Sequence, residues 1–494
     1  MNVLLVYPEF PDTYWSFRHA ISFERKRSVF PPLALLTVSA MLPTTWERRL
    51  VDMNVCSLRT SDIEWADVVF ASAMLVQKDS LRRVIELCKR YGKRVVIGGP
   101  YITTSVQDLP EADHIFLGEA ETTLPQFISD LERGEAKRVY QAAERPALSL
   151  SPMPHFHLAD LNRYSAMAVQ YSRGCPFQCE FCDIIEIYGR VPRTKSNQQI
   201  MAEFEALRRL GWRGVVFVVD DNFIGNKRNV KQLLPELAEW SERHRYPFSL
   251  ITEASVNLAE DDELLDMMRR AGFRRVFLGI ETPVKDSLKE ARKGQNMRCD
   301  LLDAVRKIQS RGLEVMAGFI VGFDNDPEDV FEQQINFIRE SAIMMAMVGM
   351  LTALPDTQLW RRLEREGRLI GESTGDITHN TLNFVPRMDA VKLVEGYKSI
   401  LRTIYSPEEF YRRALECLKR VADERREPRH SSALEDLLSF GRVVLTLGIR
   451  DDARGEFWRY LHCAFTEHRE KFPYAVTLAA MGYHFRKITD EYCC

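Results

Sequence analysis

Long apolar runs are missing from this chain. Its longest uncharged apolar stretch, Ser341 to Pro355, falls short of the ~20 residues that a membrane-spanning helix needs. An excess of one charge is missing too. The 494 residues carry 67 basic and 70 acidic side chains, a formal net charge of -3, so nothing marks a nucleic-acid polyanion as the partner. The start, MNVLLVYPEF, has no basic n-region and does not read as a signal peptide. The expected compartment is the cytoplasm, where thiols stay reduced. Ten cysteines are too sparse for a disulfide scaffold. There is no internal repeat and no low-complexity tract. No G-x-G-x-x-G follows the first strand pattern, which argues against a dinucleotide site. What is there is 45% hydrophobic and 28% charged, enough to bury a core and too apolar for global disorder. Length suggests about three domains, at roughly 100–200 residues each.

Strand-like and helix-like periods alternate through most of the chain. Up to residue 145, buried-strand patterns at Val3–Tyr7, Arg49–Met53, Asp67–Ser72, Arg94–Gly99 and His114–Gly118 are separated by helical stretches such as Leu33–Leu42, Lys78–Tyr91 and Thr122–Arg133. This predicts an α/β domain built on a doubly wound parallel sheet. Three prolines and weak periodicity mark 146–164 as a linker. Its His155 and His157 have no thiol or carboxylate pattern beside them and read as solvated. Larger βα units follow over 165–358, with strands at Met167–Tyr171, Gly214–Val219, Phe248–Glu253, Arg275–Glu281, Val315–Gly322 and Met345–Leu354. They predict a partial (β/α)6 barrel with its chemistry at the C-terminal strand ends. Over 359–494 the strands cease. Helices at Ala390–Tyr405, Pro407–Ala422, Ser432–Leu445 and Asp452–His468 predict a third, α-helical domain. Its aromatics Trp458, Tyr460, Tyr474, Tyr483 and Phe485 read as core packing, with a lid over a substrate pocket as the sharper alternative. Cys493-Cys494 reads as a loose end rather than a prenylation tail.

The strongest chemical signal follows the first barrel strand. Cys175, Cys179 and Cys182 in Ser172-Arg173-Gly174-Cys175-Pro176-Phe177-Gln178-Cys179-Glu180-Phe181-Cys182 have the spacing C-x3-C-x2-C. Three thiolates in one loop suit three irons of a [4Fe–4S] cluster, because soft sulfur ligands favour iron–sulfur centres. The fourth iron is then left for a substrate to chelate. The other reading is a structural zinc site. That site wants a fourth protein ligand, which would have to be Asp183 or a distant histidine.

C-x3-C-x-F-C after a first barrel strand resembles the radical S-adenosylmethionine (SAM) superfamily, over roughly residues 165–355. The resemblance implies that SAM binds the open iron and is cleaved reductively to a 5′-deoxyadenosyl radical. It also implies roles at the strand ends. Asp220 and Asp221 would contact the SAM amino group, Glu253 and Glu281 the ribose hydroxyls, and Val321-Gly322-Phe323 would back the adenine. Each carboxylate has an alternative as a helix cap or loop ion pair. Nearer the N-terminus, the turns Gly98-Gly99-Pro100-Tyr101-Ile102-Thr103 and Gly118-Glu119-Ala120-Glu121 resemble those of cobalamin-binding domains. Gly98, Gly99, Thr103, Gly118 and Glu119 are the residues carried over. Many such domains carry D-x-H-x-x-G after the second strand, with the histidine on cobalt. Here Asp52-Met53-Asn54-Val55-Cys56-Ser57 stands in that place. Asp52 matches, but Asn54 takes the histidine slot. An amide is a poor cobalt donor, so the expected corrinoid has no histidine on cobalt.

Together the two regions resemble cobalamin-dependent radical SAM enzymes. Tyr14-Trp15-Ser16-Phe17, Phe30-Pro31-Pro32-Leu33 and the stretch from Asp183 to Arg190 resemble a subgroup with a helical C-terminal extension, which includes the hopanoid C2 methylase. The resemblance implies an enzyme with three cofactors: a [4Fe–4S] cluster, SAM and cobalamin as methylcobalamin. Hydrogen abstraction from an unactivated carbon would be followed by methyl transfer from methylcobalamin. Tyr188 and Arg190, with Arg193 beside them, are the candidate catalytic groups, as proton donors or substrate contacts. A small-molecule or lipid-like substrate and an external electron donor such as flavodoxin or ferredoxin are implied. A cobalamin-dependent radical cyclase or rearrangement enzyme fits the same motifs. A non-catalytic corrinoid or iron–sulfur sensor would want a signalling or DNA-binding module, and the C-terminal helices offer no basic recognition helix.

Overall fold

A computed structural model describes residues 1–106, 110–375, 382–421 and 433–493. The expected helix ends at Ala422 and Ser432, and Cys494, lie outside the described residues.

Six strands form an all-parallel N-terminal sheet: β1 (Asn2–Tyr7), β2 (Glu47–Asp52), β3 (Val68–Ser72), β4 (Arg94–Gly98), β5 (His114–Leu117) and β6 (Val139–Gln141), in the order β2-β1-β3-β4-β5-β6. Their near-continuous apolar sequences follow from burial on both faces. In β1, Leu4 and Val6 pack with Leu81 and Val84 of the helix Lys78–Arg90. Val3 and Leu5 pack on the other side with Leu35 and Phe127. The strand order reverses at β1, so the binding crevice of such a sheet lies at the C-terminal ends of β1 and β3.

The second sheet is the expected half-barrel. After β7 (Ala166–Val169), a small antiparallel hairpin of β8 (Ser172–Arg173) and β9 (Arg193–Thr194) brackets the cysteine loop. Then come β10 (Gly214–Val218), β11 (Phe248–Ala254), β12 (Phe273–Glu281), β13 (Glu314–Val321) and β14 (Ala346–Met350). With β7 they pair in chain order, all parallel, and β14 does not close onto β7. Helices such as Asn197–Arg209 and Asp262–Ala271 cover the outside through apolar faces that include Phe204, Leu264 and Met268.

Residues 146–164 hold three short 3₁₀ turns and are packed rather than loose. Phe156 and Tyr164 are each 1% exposed. The Tyr164 hydroxyl donates to Asp52 Oδ2 at 2.9 Å, joining this segment to the end of β2. His155 is only half-buried and shares a hydrogen bond with the Ser39 hydroxyl at 3.0 Å.

The C-terminal helices Ala390–Ile404, Pro407–Arg420, Ala433–Val443, Arg454–Glu467 and Phe472–Cys493 pack on one another and on the N-terminal segment near residues 12–24. His484 Nε2 lies 3.0 Å from the Tyr14 carbonyl, and the Tyr492 hydroxyl donates to the Asp12 carbonyl at 2.6 Å. Tyr460 and Phe485 are core residues, as expected. Trp458 instead lies at the surface. Among the described residues, no helix is long and apolar enough to cross a membrane.

Candidate active site between the two sheets

The C-terminal edges of both sheets open onto one cavity of about 1470 Å³. Ordinary small-molecule pockets run to roughly 300–1,000 Å³, so this space suits a larger ligand or several. Its walls include Ser72, Gly98, Gly99 and Gly118 from the first sheet, the Phe10–Thr13 and Phe30–Leu33 stretches, and Ala168, Phe217, Val219 and Glu253 from the barrel. None of the five C-terminal aromatics lines it.

The first-sheet wall is mostly backbone. Gly99 has φ +103°, and a Cβ there would stand 2.9 Å from the Ala73 carbonyl oxygen. Only glycine tolerates that turn without strain. Gly118 has φ +81° with nothing within 4 Å of where a Cβ would be, leaving its backbone bare. Thr103 ties the two turns together, accepting from Gly118 N–H at 2.9 Å and donating to the Gly99 carbonyl at 3.0 Å. Asn54 also lines the cavity, but its amide is fully engaged. Its Oδ1 accepts from Phe10 N–H at 2.8 Å, and its Nδ2 donates to Asp52 Oδ1 at 2.7 Å and to the Pro8 carbonyl at 3.2 Å. Asp52 is 2% exposed and lies behind this wall as a brace. Burial lifts its pKa, opposed by the hydrogen bonds from Asn54 and Tyr164. Among the described residues, no histidine lines the cavity.

The cysteine loop begins at Gly174, where φ is +96° and a Cβ would stand 2.8 Å from the Gly189 carbonyl oxygen. Burial raises the pKa of all three thiols. Mutual repulsion adds to this at Cys175 and Cys182, and Lys293 opposes it at Cys179. Asn222 Nδ2 points at Cys175 Sγ from 3.8 Å and Gln295 Nε2 at Cys179 Sγ from 3.9 Å. Amide donors of this kind stabilise thiolates bound to iron. Among the described residues, no three Cys, His, Asp or Glu side chains gather tightly enough to hold one metal ion. The separate irons of a cluster do not need that convergence, whereas a zinc site does. The donor set thus fits a cluster.

The strand-end carboxylates have separate fates. Asp220 accepts from Tyr171 N–H at 2.7 Å and, through its other oxygen, from Ser172 N–H at 2.8 Å and the Ser172 hydroxyl at 2.6 Å. It braces the start of the cysteine loop, with both oxygens taking part in that network. Asp221 accepts a long bond from Gly174 N–H at 3.3 Å, and burial pushes its pKa up to about 7. Glu253 lines the cavity. Burial and then the charges of Asp221 and Asp220 push it up to about 8. Glu281 ends β12 at a register shift, with φ +63°, uncommon for a non-glycine residue. It forms a buried ion pair with Lys293. A Cβ at Gly279 would run into that pair, which explains the glycine.

Two arginines connect the sheets. Arg173 of β8 pairs with Glu119 at 2.6 Å and Glu121 at 2.8 Å, and Arg193 of β9 pairs with Glu119 at 2.6 Å. Burial works against the Arg173 charge, but Glu121, Tyr188 and Glu119 outweigh it and raise its pKa. Both Glu119 oxygens are thereby engaged by the barrel, so Glu119 braces the two sheets where it lines the cavity.

The domain order has close counterparts. A B12 binding domain matches residues 25–128, the radical SAM superfamily matches 169–338, and a domain of unknown function (DUF4070) matches 357–494. An uncharacterized methyltransferase of Synechocystis sp. is 43% identical over 489 residues, covering 98% of this chain and 91% of that one. The hopanoid C-2 methylase of Rhodopseudomonas palustris is 35% identical over 470 residues, covering 93% of this chain and 88% of that one. The chain belongs to the cobalamin-dependent radical SAM methyltransferases. Its fold also matches the cobalamin-dependent SAM radical enzyme OxsB, solved with aqua-cobalamin and SAM bound, with a TM-score of 0.65 at 16% identity over 99% of this chain and 80% of that one.

Within this methyltransferase, the cavity gathers Asn54, Gly98, Gly99, Thr103, Gly118, Glu119, Tyr188 and Glu253. Asp52, Asp220, Asp221, Glu281 and the three cysteines lie outside its lining. Arg190 is exposed, with Nη2 at 3.3 Å from the Pro176 carbonyl, and is not among the residues that line the cavity. Arg173, Lys293 and Gln295 have positions at the site that their sequence context did not announce. Lys293 follows its partner by 12 residues with no intervening period, and only folding brings them together.

Proposed function

We propose that this enzyme methylates an unactivated carbon of an apolar, lipid-like small molecule. The observation that carries this is one cavity shared by the glycine-turn edge of the first sheet and the barrel edge that presents Glu253. Cys175, Cys179 and Cys182 would hold the [4Fe–4S] cluster. Gly98, Gly99, Thr103 and Gly118 would hold cobalamin, with Asn54 beside it supplying no cobalt ligand. Asp221, Glu253 and the Glu281–Lys293 pair would receive SAM. When bound, these groups supply hydrogen abstraction and the methyl group.

The chain's own side chains supply selectivity and protection. Ile21, Val29, Phe30, Leu33, Phe217 and Val219 line the cavity and give an apolar substrate a surface to pack on. The relative named a hopanoid methylase favours a polycyclic lipid among apolar candidates. Tyr188 lines the cavity with its pKa raised by burial, so its hydroxyl stays protonated and able to donate. Glu253 is largely neutral at pH 7 by the same cause and can donate a hydrogen bond to a hydroxyl. We further propose boundaries at 1–145, 146–164, 165–358 and 359–494, a cytoplasmic location and an external flavodoxin- or ferredoxin-like donor.

The test is an anaerobic assay of the reconstituted protein with methyl-deuterated SAM and bacterial lipid extracts. A lipid product carrying one CD3 in place of hydrogen is expected. SAM cleavage with a rearranged, unmethylated product would favour the cyclase alternative. No SAM cleavage would overturn the enzyme reading.

A further inference from the structure

Glu180 stands between two of the three loop cysteines, in a turn that Cys182 N–H closes by donating to the Cys179 carbonyl at 3.3 Å. Residues 174–183 have no helix or ladder of their own, so segments from elsewhere must fix them. Two do so through the backbone. Glu180 N–H donates to the Ala291 carbonyl at 3.0 Å, and the Glu180 carbonyl accepts from Leu359 N–H at 2.8 Å. The third hold is a side chain. Arg362 Nε donates to Glu180 Oε1 at 2.7 Å, and Arg362 Nη2 donates to Oε2 at 3.3 Å. A planar fork on a carboxylate fixes direction as well as distance. Among the described residues, Glu180 pairs with no other cation.

The guanidinium is itself held from two more sides. Its Nη1 donates to Asp324 Oδ2 at 2.9 Å, and its Nη2 lies 3.4 Å from Glu290 Oε1. The side chains of Glu180, Asp324 and Glu290 are 7%, 7% and 10% exposed, so water does little to offset their charge. Asp324 follows the turn Val321-Gly322-Phe323 after β13, and the Phe323 ring lies 6.3 Å from that of Phe181. Glu290 precedes Ala291 and lies three residues before Lys293, the partner of Glu281. One guanidinium thus joins the cysteine loop to the connections that follow β12 and β13. It comes from the helix Gln358–Arg365, beyond the radical SAM match that ends at 338 and within the domain of unknown function. We propose that Arg362 is a positioning residue of this methyltransferase. Acting through Glu180, it sets the placement of Cys179 and Cys182 and offsets a negative charge beside the cluster they would hold. The proposal goes beyond the methylase reading and rests on its cluster assignment.

Two measurements on the full chain test it. In the iron-free protein, Arg362→Gln should speed amide hydrogen exchange over residues 174–183 at least ~10-fold, the worth of a hydrogen bond to a charged group, while β1 and β3 exchange as before. In the reconstituted protein, the reduction potential of the cluster should move in opposite directions in two variants. It should fall in Arg362→Gln, which leaves Glu180 without its cation, and rise in Glu180→Gln, which removes the negative charge, because net charge around a cluster helps set its potential. The double variant should lie between the two. Arg362→Lys keeps the charge but not the fork. It should therefore hold the wild-type potential and still loosen the loop, and it replaces Arg362→Gln if that variant does not fold. Unchanged exchange of the loop overturns the proposal, as does a potential that shifts the same way in both single variants. Exchange that rises throughout the chain overturns it too, by making Arg362 a general stabiliser. A wild-type chain that takes up no cluster removes the cluster assignment instead, and the exchange measurement then still decides whether Arg362 holds the loop.

Discussion

The two edges that meet at the cavity are built from the same parallel strands, yet they end in opposite ways. The first sheet ends β4 and β5 in Gly98-Gly99 and Gly118, with Thr103 as the tie. The barrel ends β10, β11 and β12 in or next to Asp220-Asp221, Glu253 and Glu281. A bare backbone edge can lie along a broad ligand and hold it by shape. A carboxylate edge holds a ligand by its charges and hydroxyls, and bears the cost of burying its own charge. That cost is visible at Glu253, where only the acidic neighbours Asp221 and Asp220 join burial. At Glu281 it is offset by Lys293. The Glu119–Arg173–Arg193 brace keeps the two unlike edges facing each other.

The sharpest way to separate the edges is to destroy one. Cys179→Ala should abolish iron binding at the cluster and drop SAM cleavage to background, while cobalamin binding persists. Iron content and bound corrinoid, measured on one preparation, check this. If both are lost together, the edges are not independent.

Arg173→Ala attacks the brace instead. Glu119 and Glu121 are both 3% exposed, so removing Arg173 takes this partner from buried Glu121 and leaves Glu119 with Arg193 alone. A loss of about 3 kcal/mol is expected, at the lower end for a broken buried pair. The cluster and the corrinoid should both be held less tightly. Thermal unfolding and cofactor retention report it, and an effect on one cofactor alone would break the comparison.

Gly99→Ala should act on the first edge only. The new Cβ meets the Ala73 carbonyl at a positive φ, for a cost of about 1–3 kcal/mol. Corrinoid retention should fall while iron content stays unchanged.

A spectroscopic test follows. Asn54 has its amide oxygen occupied by Phe10 N–H. Electron paramagnetic resonance of the cobalt(II) corrinoid bound to the protein should therefore lack nitrogen splitting from an axial imidazole. Seeing that splitting would misplace the corrinoid.

The smallest effect is expected from Glu253→Gln. The folded carboxyl is raised from 4.5 to about 8, so the folded state keeps a proton that the unfolded state releases. Its contribution is fully present below about pH 4 and fades as pH rises through about 8. The apoprotein should melt lower at pH 9 than at pH 6, and the variant should reduce that drop by roughly 2 °C.

Much of this was legible in advance. All five expected strands of the first sheet and all six of the barrel are present, because apolar runs flanked by turn residues are local signals. The strand β6 was missed. It has three residues at a sheet edge and buries only Tyr140. The hairpin β8–β9 was missed as well, since two residues per strand carry no period. The cysteine spacing and the glycine turns were readable because each is set within a few residues. Arg173 and Arg193 were not readable as partners of Glu119, from which they lie 54 and 74 residues away.

The sequence by itself determined the order of the layers, the turns that require glycine and the loop that presents three thiols. These depend on backbone sterics and on spacing along the chain, which act locally. Tertiary structure alone decided which acid at a strand end is consumed and which faces the cavity. Asp220 and Glu253 look alike in sequence, but one meets the N–H groups of Tyr171 and Ser172 and the other meets open space. It also decided that Leu434 and Leu437 face solvent while Val443 on the same helix is buried. Partner choice and burial are set by what the remainder of the chain brings alongside, and no local pattern contains that information.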